Sequence, residues 1–217
     1  MRLRLTFSKT SAMRFTGHLD LFSTLERTMR RANLPLAYSQ GFNPRPKITL
    51  ASALPLGFTS DCELADIWLE NDVPVEEVAS ALKKAAPPGI EIHAVEALAE
   101  SAPKPQTELE SSEFLVTLLE PVEDLTERVE QLLAAKELPR ERVRKGKKRT
   151  YDLRELIGEL EVLPQDAEGN PRLRMRLAAR EGATGRPEEA LEALGLDPLA
   201  ARYHRTRLLF AEREPAI

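Results

Sequence analysis

The apolar pattern of this chain changes period repeatedly, and the order of those changes restricts the fold more than any other feature. In "RLRLTFSK", Leu3, Leu5 and Phe7 alternate with Arg2, Arg4 and Thr6, the two-residue period of a half-buried strand. "HLDLFSTLERTMRRANL" then takes helical spacing, with Leu19, Phe22, Leu25, Met29 and Ala32 in one stripe. Pro35 predicts the end of that helix at or just before Leu34, because the residue preceding a proline is driven out of helical geometry. Strands are expected around Lys47–Ser52 and Cys62–Leu69, then a helix in "PVEEVASALKKAAPPG" and a strand in "IEIHAVEAL". The order βαββαβ predicts a ferredoxin-like unit over residues 1–98.

Residues 99–112 are polar and contain proline, so they read as a linker. After them the pattern restarts. "EFLVTLLE" reads as a strand, "VEDLTERVEQLLAAK" as a helix, "ELEVLPQD" and "RLRMRLAARE" as a hairpin, "RPEEALEALG" as a helix and "YHRTRLLFAE" as a strand. The expected class is α+β, with two tandem ferredoxin-like units, the second covering residues 113–217. That second unit is less regular because a basic insertion, residues 139–156, precedes its hairpin.

At 217 residues and 42% hydrophobic the chain can bury one large core or two small ones. No apolar run of membrane-spanning length occurs, and the first residues alternate where a signal peptide needs an unbroken apolar stretch, so a cytoplasmic protein without membrane contact is expected. A single cysteine, Cys62, excludes an intrachain disulfide, a four-cysteine zinc site and an iron-sulfur cluster held by this chain alone. Neither metal nor cofactor is expected.

Charge is segregated. Residues 1–47 carry nine Lys/Arg against two Asp/Glu, residues 48–139 five against nineteen, and residues 140–154 eight against two. Two basic blocks on an acidic body suit a local anionic partner better than the net charge of -4 suggests. In "RERVRKGKKRTYDLR" the cations repel one another and Gly146 favours a flexible or hairpin-like excursion, the kind of run that meets RNA or another polyanion. Tyr151 either stacks on a base or anchors the return to the core. Arg172, Arg174 and Arg176, Arg205 and Arg207, and Arg2 and Arg4 project from single strand faces. Each set either follows a phosphate backbone or pairs with glutamates across strands.

"YSQGFNPRPK" is stiffened by Pro44 and Pro46 and freed at Gly41, with Arg45 and Lys47 as donors and Tyr38 and Phe42 as aromatic faces. It reads equally as a ligand-binding loop and as a proline-braced crossover whose aromatics pack inward. His18 in "FTGHLDL" either works as a general acid or base or caps the helix, with Asp20 in the first turn. His93 and His204 read as packing or surface residues, and Cys62 and Trp68 as core or near-core.

The stretch from Arg2 to Gly57, including "GHLDLFSTLERTMRRANLPLAYSQGFNPRPKITLASALPLG", resembles the signature of the uncharacterised radical SAM-associated, or radical SAM-linked, family of domains of unknown function. "KGKKRTYDLR" resembles that family's second basic motif. The resemblance implies a separately encoded radical SAM partner and no activity of the chain's own. It leads to an RNA-binding, non-catalytic accessory protein that presents tRNA or rRNA for modification or processing. Arg27, Arg30, Arg31, Arg45, Lys47, Lys145, Lys147, Lys148 and Arg149 would hold phosphates, with Tyr38, Phe42 and Tyr151 stacking. Two alternatives stay open. One is a metal-independent endoribonuclease with His18 as acid or base and Lys9 or Arg14 stabilising charge; the other is a protein-protein adaptor for the radical SAM partner.

Overall fold

The computed structural model describes residues 1–144 and 146–211, and the chain divides into two compact units, Met1–Leu109 and Glu110–Ile217. The class is α+β: among the described residues, five α-helices accompany mostly antiparallel strands.

The first unit runs β1 (Arg2–Lys9), α1 (His18–Arg31), β2 (Ile48–Leu50), β3 (Phe58–Trp68), α2 (Val75–Ala85), β4 (Ile90–Leu98) and a short α3 (Pro105–Glu108). β1 pairs antiparallel with both β3 and β4, and β2 pairs antiparallel with β3, giving the order β4-β1-β3-β2. The alternation of β1 decides which face is covered. Leu3, Leu5 and Phe7 are buried together with Leu21, Leu25 and Met29 of α1 and Val78 and Leu82 of α2. Each such side chain contributes roughly 1.5–3 kcal/mol.

α1 stops at Arg31, before the expected boundary, for a reason that Pro35 alone does not supply. Asn33 adopts a left-handed φ of 54°, Asn33 N donates to Arg30 O at 3.0 Å and Leu34 N to Met29 O at 3.3 Å. These two bonds form a Schellman closure, with asparagine in the place that glycine usually takes.

The other face of β1 differs from the open arginine face considered above. Asp66 is fully buried and accepts from Arg2 Nη2 at 2.5 Å, Arg4 Nε at 2.7 Å and Arg4 Nη2 at 3.0 Å. Arg2 is 3% exposed, stacks 5.0 Å from the Trp68 ring centroid, and donates to the carbonyls of Ala102 and of Pro103, the latter at 2.8 Å. These arginines are committed to the fold and present no phosphate-binding face. Residues 99–112 are correspondingly more than a polar connection: Pro105 and Leu109 are buried, and α3 lies against β2 and β3.

The second unit runs β5 (Leu109–Leu118), α4 (Leu125–Ala134), β6 (Pro139–Arg144), β7 (Lys147–Asp152), β8 (Ile157–Leu163), β9 (Arg172–Arg180), β10 (Ala183–Thr184), α5 (Pro187–Ala193) and β11 (Ala201–Phe210). β9 pairs antiparallel with β5 and β8, and β11 flanks β5, so the order β8-β9-β5-β11 repeats that of the first unit. Alternation again selects the buried face, with Phe114, Val116 and Leu118 on β5 and Leu173, Met175 and Leu177 on β9. On the opposite face Arg174 pairs with Glu161, Arg176 with Glu159 at 2.7 Å, and Arg172 Nε donates to Pro164 O at 2.7 Å. Cross-strand glutamates therefore pair with two of the three arginines of the row, and the third is bonded to a backbone carbonyl. Arg205 is buried, with its guanidinium 5.5 Å from the Phe114 ring centroid.

Candidate nucleic-acid interface

The basic insertion folds into a ribbon of its own. β6 and β7 form a separate two-stranded sheet, turned at Gly146, whose φ of +74° is costly for any other residue. Arg140 faces Tyr151 and Arg142 faces Arg149 in the register. Cross-strand partners share a face, so three arginines and the tyrosine lie on one side, with Glu141, Lys148 and Thr150 on the other.

The ribbon is fastened at its base. Arg142 grips Glu189 of α5 in a two-pronged pair, Nε–Oε1 at 2.8 Å and Nη2–Oε2 at 2.5 Å, donates to Thr184 O at 2.9 Å, and lies 4.5 Å from the Tyr151 ring centroid. Asp152 accepts from Leu138 N at 2.7 Å and Arg154 N at 2.9 Å, which closes the entry and exit strands. The electrostatics follow. Burial pushes the Glu189 carboxyl up, but hydrogen bonds from Arg142 and Tyr151 outweigh it and hold Glu189 below the ordinary range. The Tyr151 hydroxyl is pushed up to about 12 by burial, with Glu189 adding to it. Tyr151 thus serves as an anchor, one face covered by Arg142.

Arg149 and Lys148 are exposed, and Lys148 makes a surface pair with Glu141 at 3.1 Å, an interaction of at most about 1 kcal/mol that a phosphate could displace. Lys147 pairs through its backbone with Arg144, and Lys145 lies outside the described residues. The Arg142–Glu189 pair was not apparent in the sequence, because its partners are 47 residues apart.

The stretch around Tyr38–Lys47 is a second projection, on the first unit. Bridges Leu36↔Leu69 and Tyr38↔Pro46 extend the end of β3 into a small hairpin. Its rungs are Ser39 N to Arg45 O at 2.8 Å, Lys47 N to Ala37 O at 2.8 Å and Ala37 N to Trp68 O at 2.8 Å, with Ser39 Oγ accepting from Arg45 N at 3.0 Å. Pro46 is buried between exposed Arg45 and Lys47. Phe42 stands wholly exposed at the tip, beside Gly41 at φ +131°, and Tyr38 is at the edge of exposure. The aromatics of this loop therefore do not all pack inward. On α1, Arg27 is exposed, Arg30 pairs with Glu26 at 2.7 Å, and Arg31 reaches Thr28 Oγ1 at 3.4 Å.

The residues considered for catalysis are placed differently. Lys9 is completely buried, and its Nζ donates to Thr16 O at 2.7 Å, Phe58 O at 2.9 Å and Arg14 O at 3.3 Å. It braces the turn between β1 and α1, so it is not held open for a substrate's charge. Arg14 is partly buried in that turn, and its carbonyl also accepts from Gly57 N at 2.9 Å. His18 is the first residue of α1, partly buried; the cap position belongs to Gly17, and Asp20 occupies the first turn. His93 is exposed, and His204, Cys62 and Trp68 are partly buried. Among the described residues no cluster of His, Cys, Asp and Glu has the arrangement of a metal site. A groove of about 500 Å³ in the second unit is rimmed by Glu120, Glu123, Asp124 and Asp197, and its Arg128 is already bonded to Asp124 at 2.8 Å. That acidic rim disfavours an anionic occupant.

Fold and surface together define an α+β protein of two units, each bearing a cationic projection beside its sheet. Residues 2–187 match the family described as an uncharacterized protein conserved in bacteria, DUF2344, and the chain belongs to that family. No curated protein matches it. Among solved structures it is similar to a Cbf5-Nop10-Gar1 complex, at 15% identity and a TM-score of 0.47 over 95% of this chain and 48% of that one. It is also similar to an H/ACA RNP bound to a substrate RNA containing 2'-deoxyuridine, at 14% identity and 0.45 over 95% and 47%. A putative glycine cleavage system transcriptional repressor matches at 13% identity and 0.25 over 97% and 98%. The chain spans about half the length of the first two. Likeness at this level carries no functional argument. No helix among the described residues is long and apolar enough to cross a membrane.

Proposed function

We propose that this protein is an RNA-binding accessory factor that acts with a separately encoded radical SAM enzyme, presenting tRNA or rRNA for modification or processing. The observation that carries the reading is the β6–β7 ribbon, which gathers Arg140, Arg142 and Arg149 on one face and is tied to α5 through the Arg142–Glu189 pair, leaving Arg140 and Arg149 to meet phosphate. A polycationic segment ordered before binding loses little conformational entropy on meeting a phosphate backbone. Lys148, with Arg27, Arg45 and Lys47 on the first unit, would extend the phosphate contacts. The radical SAM association is supported by the resemblance of residues 2–57 and of "KGKKRTYDLR". Radical SAM chemistry needs three cluster cysteines and this chain has one, so the radical step would belong to the partner. We read both units as ferredoxin-like, on the strength of their shared strand order and paired helices.

The test is binding to tRNA and rRNA fragments across a salt series. For single strands the log–log slope is about -0.7 per phosphate neutralised, so three engaged cations give a slope near -2. No binding at low salt would overturn the reading and leave the adaptor.

A further inference from the structure

We propose that Phe42 stacks on an unpaired nucleobase, which makes single-stranded RNA, and not duplex, the substrate of the first unit's hairpin. This inference rests on the RNA-binding reading above and adds the kind of RNA. Phe42 is wholly exposed, yet its loop is tied by the Tyr38↔Pro46 bridge and by both bonds between Ser39 and Arg45. The ring is therefore carried out in water on a short tip whose two ends are tied. An aromatic side chain so placed offers two open faces and has few rotamers to lose on contact.

The surroundings select the occupant. From Tyr38 to Lys47 there is no carboxylate, while Arg45 and Lys47 are both exposed and flank buried Pro46. Two positions apart on extended backbone, they are separated by about 6.6 Å on the same side. An apolar pocket on a protein partner would require the ring but not the adjacent cations. A single strand uses both, since every base has a face to stack and every linkage a phosphate to neutralise. A duplex keeps its bases stacked inside and can use only the cations.

The experiment compares the full-length protein with Phe42→Ala and Phe42→Tyr on a single-stranded RNA of about 12 nucleotides, a typical single-strand site size, and on its duplex, with Arg149→Ala as a control. The expected result is a loss of about 5- to 150-fold on the single strand for Phe42→Ala, the range of one base–aromatic stack. Phe42→Tyr should bind nearly as the wild type does, and duplex affinity should stay within about twofold. Because Phe42 has no packing role, the thermal midpoint should not move. Equal losses on both RNAs, or none on either while Arg149→Ala weakens both, would overturn the stacking proposal and leave the RNA reading standing. Failure of the wild type to bind either RNA at low salt would remove both. Intact RNA binding by Phe42→Ala, with loss of a protein from a pull-down, would assign the ring to a protein partner and overturn the proposal.

Discussion

Replacing Asp66 by alanine tests whether the covered face of the first unit works as described. The carboxylate is fully buried and accepts three hydrogen bonds, from Arg2 at 2.5 Å and Arg4 at 2.7 and 3.0 Å. Without it, two guanidiniums face each other with no counter-charge, Arg2 being 3% exposed. Removing one partner from a buried ionic group costs about 3–5 kcal/mol. For a unit of this size each kcal/mol lowers the midpoint by roughly 4–8 °C, so a fall of about 12–40 °C is expected. Asp66→Asn keeps one acceptor and should fall roughly half as far. The assay is thermal unfolding by circular dichroism, paired with limited proteolysis. Arg2 also holds the carbonyls of Ala102 and Pro103, so cleavage within residues 99–108 should accelerate in Asp66→Ala. A midpoint within about 5 °C of the wild type, with unchanged cleavage, would refute the reasoning, because it would mean that water replaces the carboxylate at little cost.

Glu189→Gln removes the charge that fastens Arg142, and it should increase proteolysis within residues 139–152 and weaken RNA binding several-fold, while unfolding of the core changes little. Glu188 offers a pH test: burial raises its carboxyl above the ordinary 4.5, so its contribution to stability is fully present below pH 4.5 and is lost as pH rises through the raised value. Glu188→Gln should therefore melt higher than the wild type at pH 7, and the two midpoints should converge at pH 4. RNA incubated with wild type or His18→Ala should remain equally intact on a denaturing gel; cleavage by the wild type that the variant abolishes would favour the endoribonuclease.

Much of the platform was legible in the sequence because a period states which side of an element is apolar. β1, α1, α2, β4 and the β8–β9 hairpin lie close to where their alternation or helical stripe put them, although on α1 Leu21 is buried and Leu19, assigned to the stripe, is 79% exposed. Periodicity is silent about what covers the polar side. Arg2 and Arg4 look the same in sequence as arginines facing solvent, and only pairing with Asp66, more than 60 residues away, buries them. The start of β3 at Phe58 was hidden because "FTSD" lacks alternation, although Ser60 pairs with Lys9 across an irregularity in β1. In the basic insertion Gly146 pointed to a flexible or hairpin-like excursion, and the hairpin is the one that forms. Its tie to the rest of the unit is Glu189, on a helix 47 residues further along the chain.

The segment that closes the first unit's sheet, from Glu100 to Glu108, has a consequence for how such a protein can diversify. With helices on one side and the chain's own continuation over β2, β3 and Arg2 on the other, the middle of the sheet is committed to packing. The hairpin tip is then a place where new side chains can be added without disturbing that packing. Residues 40–44 lie beyond the last rung of their hairpin, so that tip could be exchanged as a cassette while Leu3, Leu5 and Phe7 remain packed as they are.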